Sequence, residues 1–495
     1  MTQKIVGFII LILCSMHVFS QNEEDVLRYS TTDIFGSARF EAMAGSFGAL
    51  GADISAIQIN PASLGRFSRS TASASLNMSF LQNKAIFNAT TTNSNYNKLA
   101  LSTLGVVFTN DLSTKNNGRR YNQITLAYTR LKNFSNHRVY EGQEFYSLLD
   151  VLANDGAGID PSLIYDYRPF TTGLAYDTYA VDWDDISGQY YSRLTNGDMY
   201  HHREITNGGG IGEYHIGYSE NYANILYYGA SLGIRRVKYN ESYDHTERLL
   251  DTVGTSLRSF TYSYDQTTKG TGFNLKLGIL YLPINEIRLG LAFETPSIIR
   301  FEDKWSTNMT AEHADGVKSI LPEYVPIGKF SYRIKTPMKL RGSVAYIFGM
   351  RGAINIDVEM SHLPGGKLRS QAVSNNQTGP LYNFDIENQE VKNQFRTVFN
   401  TRIGIEYMIA HDLYLRAGFA LLPQPYKKSI GNIKTPDLTY SGGLGWENKF
   451  VYIDVSYRLL QTHSDYYAFD PSKIENRTQF KTNVHHVVLT AGFKF

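Results

Sequence analysis

The sequence predicts an all-β protein, a 14-stranded antiparallel transmembrane β-barrel behind a small N-terminal segment of different character. Three observations carry this expectation. Long runs alternate strictly between apolar and polar residues, the joins between runs alternate in length, and the chain ends in an alternating run that closes on Phe495.

The alternation is cleanest around residue 350. Leu340, Val344, Tyr346 and Phe348 share one parity while Arg341, Ser343 and Ala345 hold the other; beyond 349–352, Ile354, Ile356, Val358 and Met360 alternate with Asn355, Asp357 and Glu359. Successive side chains of a strand point to opposite faces, so one face is apolar and the other polar or charged. A soluble sandwich alternates too, but over strands of ~5–6 residues. These runs hold parity for about 10 residues, the span of a tilted membrane strand. Runs of this kind lie near 70–81, 99–110, 121–132, 209–219, 223–240, 270–283, 286–300, 332–348, 352–362, 395–410, 412–424, 436–449, 451–464 and 482–495. Their number is even, as single-chain bacterial barrels have it.

Such barrels place short turns on the periplasmic side and long loops outside. Short joins fall at 220–222, 284–285, 349–351, 411 and 450, and long ones at 133–208, 241–269, 301–331, 363–394, 425–435 and 465–481. The join at 111–120 is the one poor fit, long where a short turn is expected. The last run sets Val487, Leu489, Ala491, Phe493 and Phe495 on one parity, an aromatic terminus similar to the signal that outer-membrane barrels present to the barrel-assembly machinery.

Composition agrees. The 495 residues include 35 Tyr, 27 Phe and 41 Gly, yet mean hydropathy is −0.28, which suits strands with one face to lipid and one to water. Net charge is +2 with basic and acidic residues interspersed, so no nucleic-acid partner is expected. A basic residue, an apolar run from Ile5 to Cys14 and the small Ser20 before Gln21 read as a signal peptide over 1–20. Cys14 is the single cysteine, and Leu13 stands where a lipid-attachment motif needs a small residue. Past the signal, disulfides and thiolate metal sites are excluded, and no run approaches the ~18 apolar residues of a membrane helix.

Residues 21–69 do not alternate. They are rich in Ala, Gly and Ser, and Gly45, Gly48 and Gly51 recur every third position, where backbone can pack on backbone. The stretch lacks the spacing of a dinucleotide-binding loop and the lysine of a P-loop. Asp25-Val26-Leu27-Arg28-Tyr29-Ser30, the run Ala42 to Gly51, and Asn60-Pro61-Ala62-Ser63-Leu64 resemble the FadL-type outer-membrane transporter family, in its Bacteroidetes-like branch. The resemblance implies a hatch over 21–69, carrying the motif Asn60, Pro61, Ala62, that plugs a barrel formed by 70–495. It also implies a monomer in the bacterial outer membrane, in contact with the lipid bilayer, that passes hydrophobic compounds such as long-chain fatty acids passively down a gradient. Some barrels of this type serve instead as partners in protein secretion, which is the alternative function. Family members open sideways at a kink in the third strand, and Gln123 to Arg130 holds neither Gly nor Pro to mark one.

Sending the apolar parity to lipid places Lys276, Arg288, Glu294, Arg341, Asp357, Glu359, Arg402, Glu406, Arg416, Asp454 and Arg458 in the lumen. Buried charges need partners, and the hatch offers Asp33, Arg39, Glu41, Asp53 and Arg66. Arg288, Arg341 and Arg402 are candidates to grip a ligand carboxylate with a guanidinium fork. In the long loop, Phe145, Leu148, Leu149 and Leu152 have helical spacing and precede Tyr165, Phe170 and Trp183, either as a lid or capture groove or as a self-packed loop. His201-His202 and His485-His486 are adjacent pairs, which a strand points to opposite faces. No catalytic residues, cofactor or metal are expected, so the chain does not read as an enzyme.

Overall fold

The computed structural model describes residues 23–113, 118–194, 198–320, 324–349, 351–371, 382–427, 435–468 and 477–495; the expected signal peptide with Cys14 lies outside them. Fourteen wall positions form one closed antiparallel sheet. The first six are β1 (Thr71–Phe87), β2 (Thr90–Asp111), β3 (Arg119–Asn133) with its continuation β4 (Asn136–Glu144), then β7 (Met199–Tyr222), β8 (Leu226–Leu249) and β9 (Leu257–Tyr281), after a small hairpin β5 (Val181–Asp184) and β6 (Gln189–Ser192). Three walls are each built from two segments: β10 (Ile287–Glu294) with β11 (Ile298–His313), β13 (Ile327–Lys335) with β14 (Lys339–Phe348), and β15 (Gly352–His362) with β16 (Lys367–Ser370); β12 (Gly316–Ser319) folds back on β11. The wall is completed by β17 (Thr397–Ala410), β18 (Leu413–Leu422), β19 (Asp437–Glu447), β20 (Val451–Tyr467) and β21 (Arg477–Lys494). The ladder from Thr71↔Lys494 to Phe87↔Thr478 joins β1 to β21 and leaves no free edge, and the Phe495 N–H donates to Ser70 O at 2.9 Å to lock the seam.

Each of the fourteen expected runs is a wall strand. The parity assignment also holds: the eleven lumen charges point inward, all buried except the half-buried Arg288. The opposite parity, including Leu291, Val344, Ile356, Ile405, Leu444, Val455 and Leu489, is exposed in a continuous outer belt, far more apolar surface than a soluble monomer leaves to water. Tyr281, Tyr407, Trp446, Phe450 and Phe495 stand exposed at its short-turn rim, the position of an aromatic girdle. No helix among the described residues is long and apolar enough to cross a membrane.

Two expectations need correction. Residues 82–98 and most of 241–269 are strand, not loop: β1 and β2 meet in a tight turn at Asn88, and β8 and β9 run on to Leu249 and from Leu257. Their alternation is between polar residues, so the pairing continues where the hydrophobic signal stops. Conversely, the expected strands 286–300 and 332–348 are interrupted at Pro296 and Pro337, whose missing N–H ends the ladder. Thr336 patches the break by accepting from the Ser297 N–H at 2.8 Å through its hydroxyl and donating its own N–H to Ser297 O at 2.9 Å.

The outward parity is testable at mid-strand. Val455→Arg on the lipid face should lower stability by ~2–4 kcal/mol, measured by reversible urea unfolding in lipid vesicles, whereas Val455→Leu should leave it nearly unchanged.

Candidate functional site

The hatch is built on its Asn-Pro-Ala turn. Asn60 Oδ1 accepts the Ala62 N–H at 3.1 Å, capping a short helix that Pro61 begins, while its Nδ2 donates to Gly48 O at 2.8 Å and to Ile279 O of β9 at 3.2 Å. One side chain thus folds the turn, ties it to the glycine-rich run and anchors both to the wall. Wall glycines make room for this: a Cβ at Gly229 would lie 2.7 Å from the Pro61 backbone, and one at Gly418 2.4 Å from that of Met43.

Elsewhere the wall grips the hatch through charge. Asp357 Oδ2 accepts the Phe47 and Gly48 N–H groups at 2.8 and 3.0 Å. Arg39 meets Glu406 with two parallel bonds of 2.8 and 2.7 Å, and Arg416 bridges Glu406 to Asp454. Arg458 Nε donates to Glu41 Oε2 at 3.0 Å, and Arg288 to Leu50 O at 2.8 Å.

Above the hatch a second charge ladder crosses the wall. Lys276 and Arg235 hold Glu213; Arg235 and Arg341 share Glu294; Arg341 reaches Glu359 at 2.6 Å, and Arg402 lies 3.9 Å from the same carboxylate. Lys339 adds a fifth cation beside Glu294 and Glu359, and Asp33 on the cavity wall and Asp357 beside Arg402 add two further acids, so charges of both signs are matched around the ladder. Arg341 ion-pairs through two nitrogens, whereas the ion pair of Arg402 is long; each of Arg288, Arg341 and Arg402 keeps one buried nitrogen with no hydrogen-bond partner among the described residues. Arg235, Lys276, Glu294, Arg341 and Arg402 line a cavity with Asp33 and Leu131 of about 20 Å³, room for one water and nothing larger. This is a closed conformation.

The apolar counterpart lies immediately beside that cavity. Tyr29, on the helix Glu23–Ser30, inserts into a chamber walled by Leu131, Phe134, Tyr239, Phe301 and Tyr332. Its ring sits 4.5 Å from Phe301 and edge-on to Phe134 at 6.0 Å. The Tyr29 and Tyr332 hydroxyls are buried with no hydrogen-bond partner among the described residues, a penalty of ~1–3 kcal/mol each. Tyr29 therefore fills a space that suits an apolar group better than a phenol. Arg28, over the Tyr239 ring at 4.5 Å, and Lys132 put charge at the chamber's rim.

The chamber borders a weak seam. The β2–β3 ladder ends at Thr103↔Thr129; beyond it β2 pairs on with β1 as far as Thr90, while β3 bulges against β7 between Arg130 and Lys132. Side chains bridge the gap: Arg130 Nε donates to Leu101 O at 3.1 Å, and Asn83 Nδ2 and Ser94 Oγ donate to His137 O at 2.7 and 2.9 Å. Leu131 turns its side chain into the chamber, and its carbonyl accepts the Asp33 N–H of the hatch at 2.7 Å. The third strand is thus interrupted just past the Gln123–Arg130 window. The glycine signal for the break is on the neighbouring strand, in Gly208-Gly209-Gly210, where Gly209 has φ +95° and a Cβ would meet Lys238 O at 2.1 Å.

The long loop forms a cap with its own core. Leu148, Leu149 and Leu152 are buried on the helix Leu148–Asp155, with Tyr165 and Trp183 packed against them, but Phe145 is exposed and lies off the stripe. The cap docks on extended strands of the barrel, where Phe170 O accepts from Tyr262 Oη at 2.9 Å and from Thr307 Oγ1 at 3.1 Å.

No family model and no curated protein matches the sequence. Solved structures do. A Pseudomonas aeruginosa FadL homologue superimposes with a TM-score of 0.57 at 13% identity, covering 94% of this chain and 100% of the other. The Pseudomonas putida toluene transporter TodX gives 0.53 at 14%, covering 94% and 99%, and the Ralstonia pickettii toluene transporter TbuX gives 0.50 at 13%, covering 93% and 99%. The fold is that of the FadL-type channels. Within that FadL-type frame, the N-terminal segment, chamber and seam are positioned by this chain's own residues, and the Asp357 carboxylate tethers that segment to the wall through two backbone amides. Asp357→Ala leaves two buried amides unsatisfied at ~1–3 kcal/mol each; faster proteolysis within 30–60 and a raised leak current in planar bilayers are expected.

Proposed function

We propose that the protein is a channel of the bacterial outer membrane that passes hydrophobic small molecules, fatty acid-like in class, passively and without catalysis. The observation that carries this is the aromatic chamber occupied by Tyr29, bounded on one side by the buried charge ladder that holds Arg402 and on another by the β2–β3 seam. An apolar chain entering under the cap displaces Tyr29 and gains the contacts that ring now makes. A carboxylate head takes Arg402, the one of the three candidate arginines not already locked; Arg341 and Arg288 hold the wall and the hatch. Release runs sideways through the seam into the bilayer. A single chain closes its own barrel, which supports a monomer, and the aromatic Phe495 at the end of β21 is the proposed handle for the barrel-assembly machinery.

Two measurements test this reading. Affinity for a fluorescent long-chain fatty acid should fall at least roughly tenfold in Arg402→Ala, the scale of a lost charge-assisted bond, while affinity for the corresponding alcohol stays the same; equal losses for both probes would discard the carboxylate role. Stitching the seam with a Ser94→Cys/His137→Cys pair should block uptake into cells under oxidising conditions and restore it on reduction. Uptake indifferent to the disulfide rules out lateral release.

A further inference from the structure

At the long-loop end, β7 and β8 continue past the wall as a ribbon whose register sets His201 opposite Glu247 and Arg203 opposite His245. His202 does point away from His201, toward Glu141 at 3.2 Å, but the second imidazole on the inner face comes from the neighbouring strand. His201, His245 and Glu247 are all buried, with their ligating atoms within 4.8 Å of one another. His245 Nε2 lies 2.8 Å and His201 Nε2 3.8 Å from the same oxygen, Glu247 Oε1. The two imidazole planes stand at 82°, between the rings of Phe87 and Phe260.

We infer that His201, His245 and Glu247 bind a divalent transition cation of the zinc class, which cross-links β7 to β8 and fixes the carboxylate that the cap grips through Ser147 and Leu148. Two imidazoles and a carboxylate are a ligand set for such ions. Ligands held ~2.1 Å from a tetrahedral ion are themselves ~3.4 Å apart, so the existing cluster needs movements of about an ångström or less. The carboxylate is already oriented by the cap: Ser147 Oγ donates to Oε2 at 2.5 Å and the Leu148 N–H to Oε1 at 2.7 Å, at the start of the helix Leu148–Asp155. Outer bonds of this kind fix a ligand's geometry. Arg203 is the opposing charge, but its guanidinium lies over Tyr243 at 4.3 Å and donates to Tyr466 Oη at 2.8 Å. Because the cap covers the cluster, the ion enters when the cap lifts and holds it down once bound.

The test uses the full chain purified in detergent, stripped with a chelator and titrated first with Co²⁺ and then with Zn²⁺. One equivalent of Co²⁺ should give visible ligand-field bands that Zn²⁺ abolishes, and Zn²⁺ should slow proteolysis within 145–194. His201→Ala and Glu247→Gln should each weaken binding more than tenfold, Ser147→Ala should weaken it roughly tenfold as an orienting residue, and His202→Ala should not change it. The absence of a stoichiometric Co²⁺ spectrum in the wild-type protein overturns the site irrespective of how any variant folds, as does unchanged affinity in His201→Ala and Glu247→Gln. Fatty acid binding is read separately, so failure here leaves the channel reading standing.

Discussion

Neutralising charge inside a closed wall is the constraint from which the rest of this structure follows. Alternation that buries one strand face in lipid forces the other face into the lumen, and here that face is crowded with arginine, lysine and carboxylate. Removing one partner of a buried pair costs ~3–5 kcal/mol, so the lumen must be satisfied almost residue by residue. Near the short-turn side the wall cannot do this alone. Glu406 is shared between Arg416 of the wall and Arg39 of the hatch, and Arg458 finds its carboxylate in Glu41. The hatch is held because it completes the wall's electrostatics, and its glycine-rich backbone lets it come close enough to do so.

The period of two made much of this legible. The lumen charges from Lys276 to Arg458 are readable from parity, because a strand that keeps its apolar side to lipid leaves no choice for the other side, but Glu213 and Arg235, equally buried on β7 and β8, are not among the residues the pattern picked out. Two kinds of feature escape that logic. Polar strand extensions such as 82–98 carry no hydrophobic alternation, so their pairing depends on hydrogen bonds that the pattern does not record. The chamber is non-local: Tyr29 and Phe301 are neighbours only after the N-terminal helix has been threaded into the barrel. The same holds for His201 and His245, which adjacency along the chain separates and hairpin register unites. Asn60, Pro61 and Ala62 were visible as a motif, yet the reason Asn is needed, one side chain capping a turn and tying two carbonyls, appears only in three dimensions.

Arginine roles show why residue type alone does not rank candidates. Arg288, Arg341 and Arg402 are equivalent by parity, but their surroundings differ. One donates to the hatch, one is held by two carboxylates, and one has a single long ion-pair contact. Arg235, Lys276, Arg341 and Arg402 sit in one cluster that lines the cavity, and Arg402 is the member whose carboxylate contact is longest.

Chamber, hatch and seam are coupled by chain continuity. Tyr29 fills the chamber, and four residues further on the Asp33 N–H holds the carbonyl of Leu131 in the bulge where the third strand leaves the second. A ligand that displaces Tyr29 pulls on the segment bearing that bond. The bond itself is worth only ~0.5–1.5 kcal/mol net, less than the ~1.5–3 kcal/mol gained by burying one large apolar group. Displacing Tyr29 gives up that ring's own burial, so the latch is released only by a ligand that buries more apolar surface in the chamber than the ring it replaces. A ligand lacking that apolar surplus shifts no population between closed and open forms, however well its head group is bound, because only differential affinity for the two states moves the equilibrium. In the proposed channel, selectivity for hydrophobic cargo would then reside in the opening step, with Arg402 orienting the ligand and the aromatic chamber weighing its apolar surface.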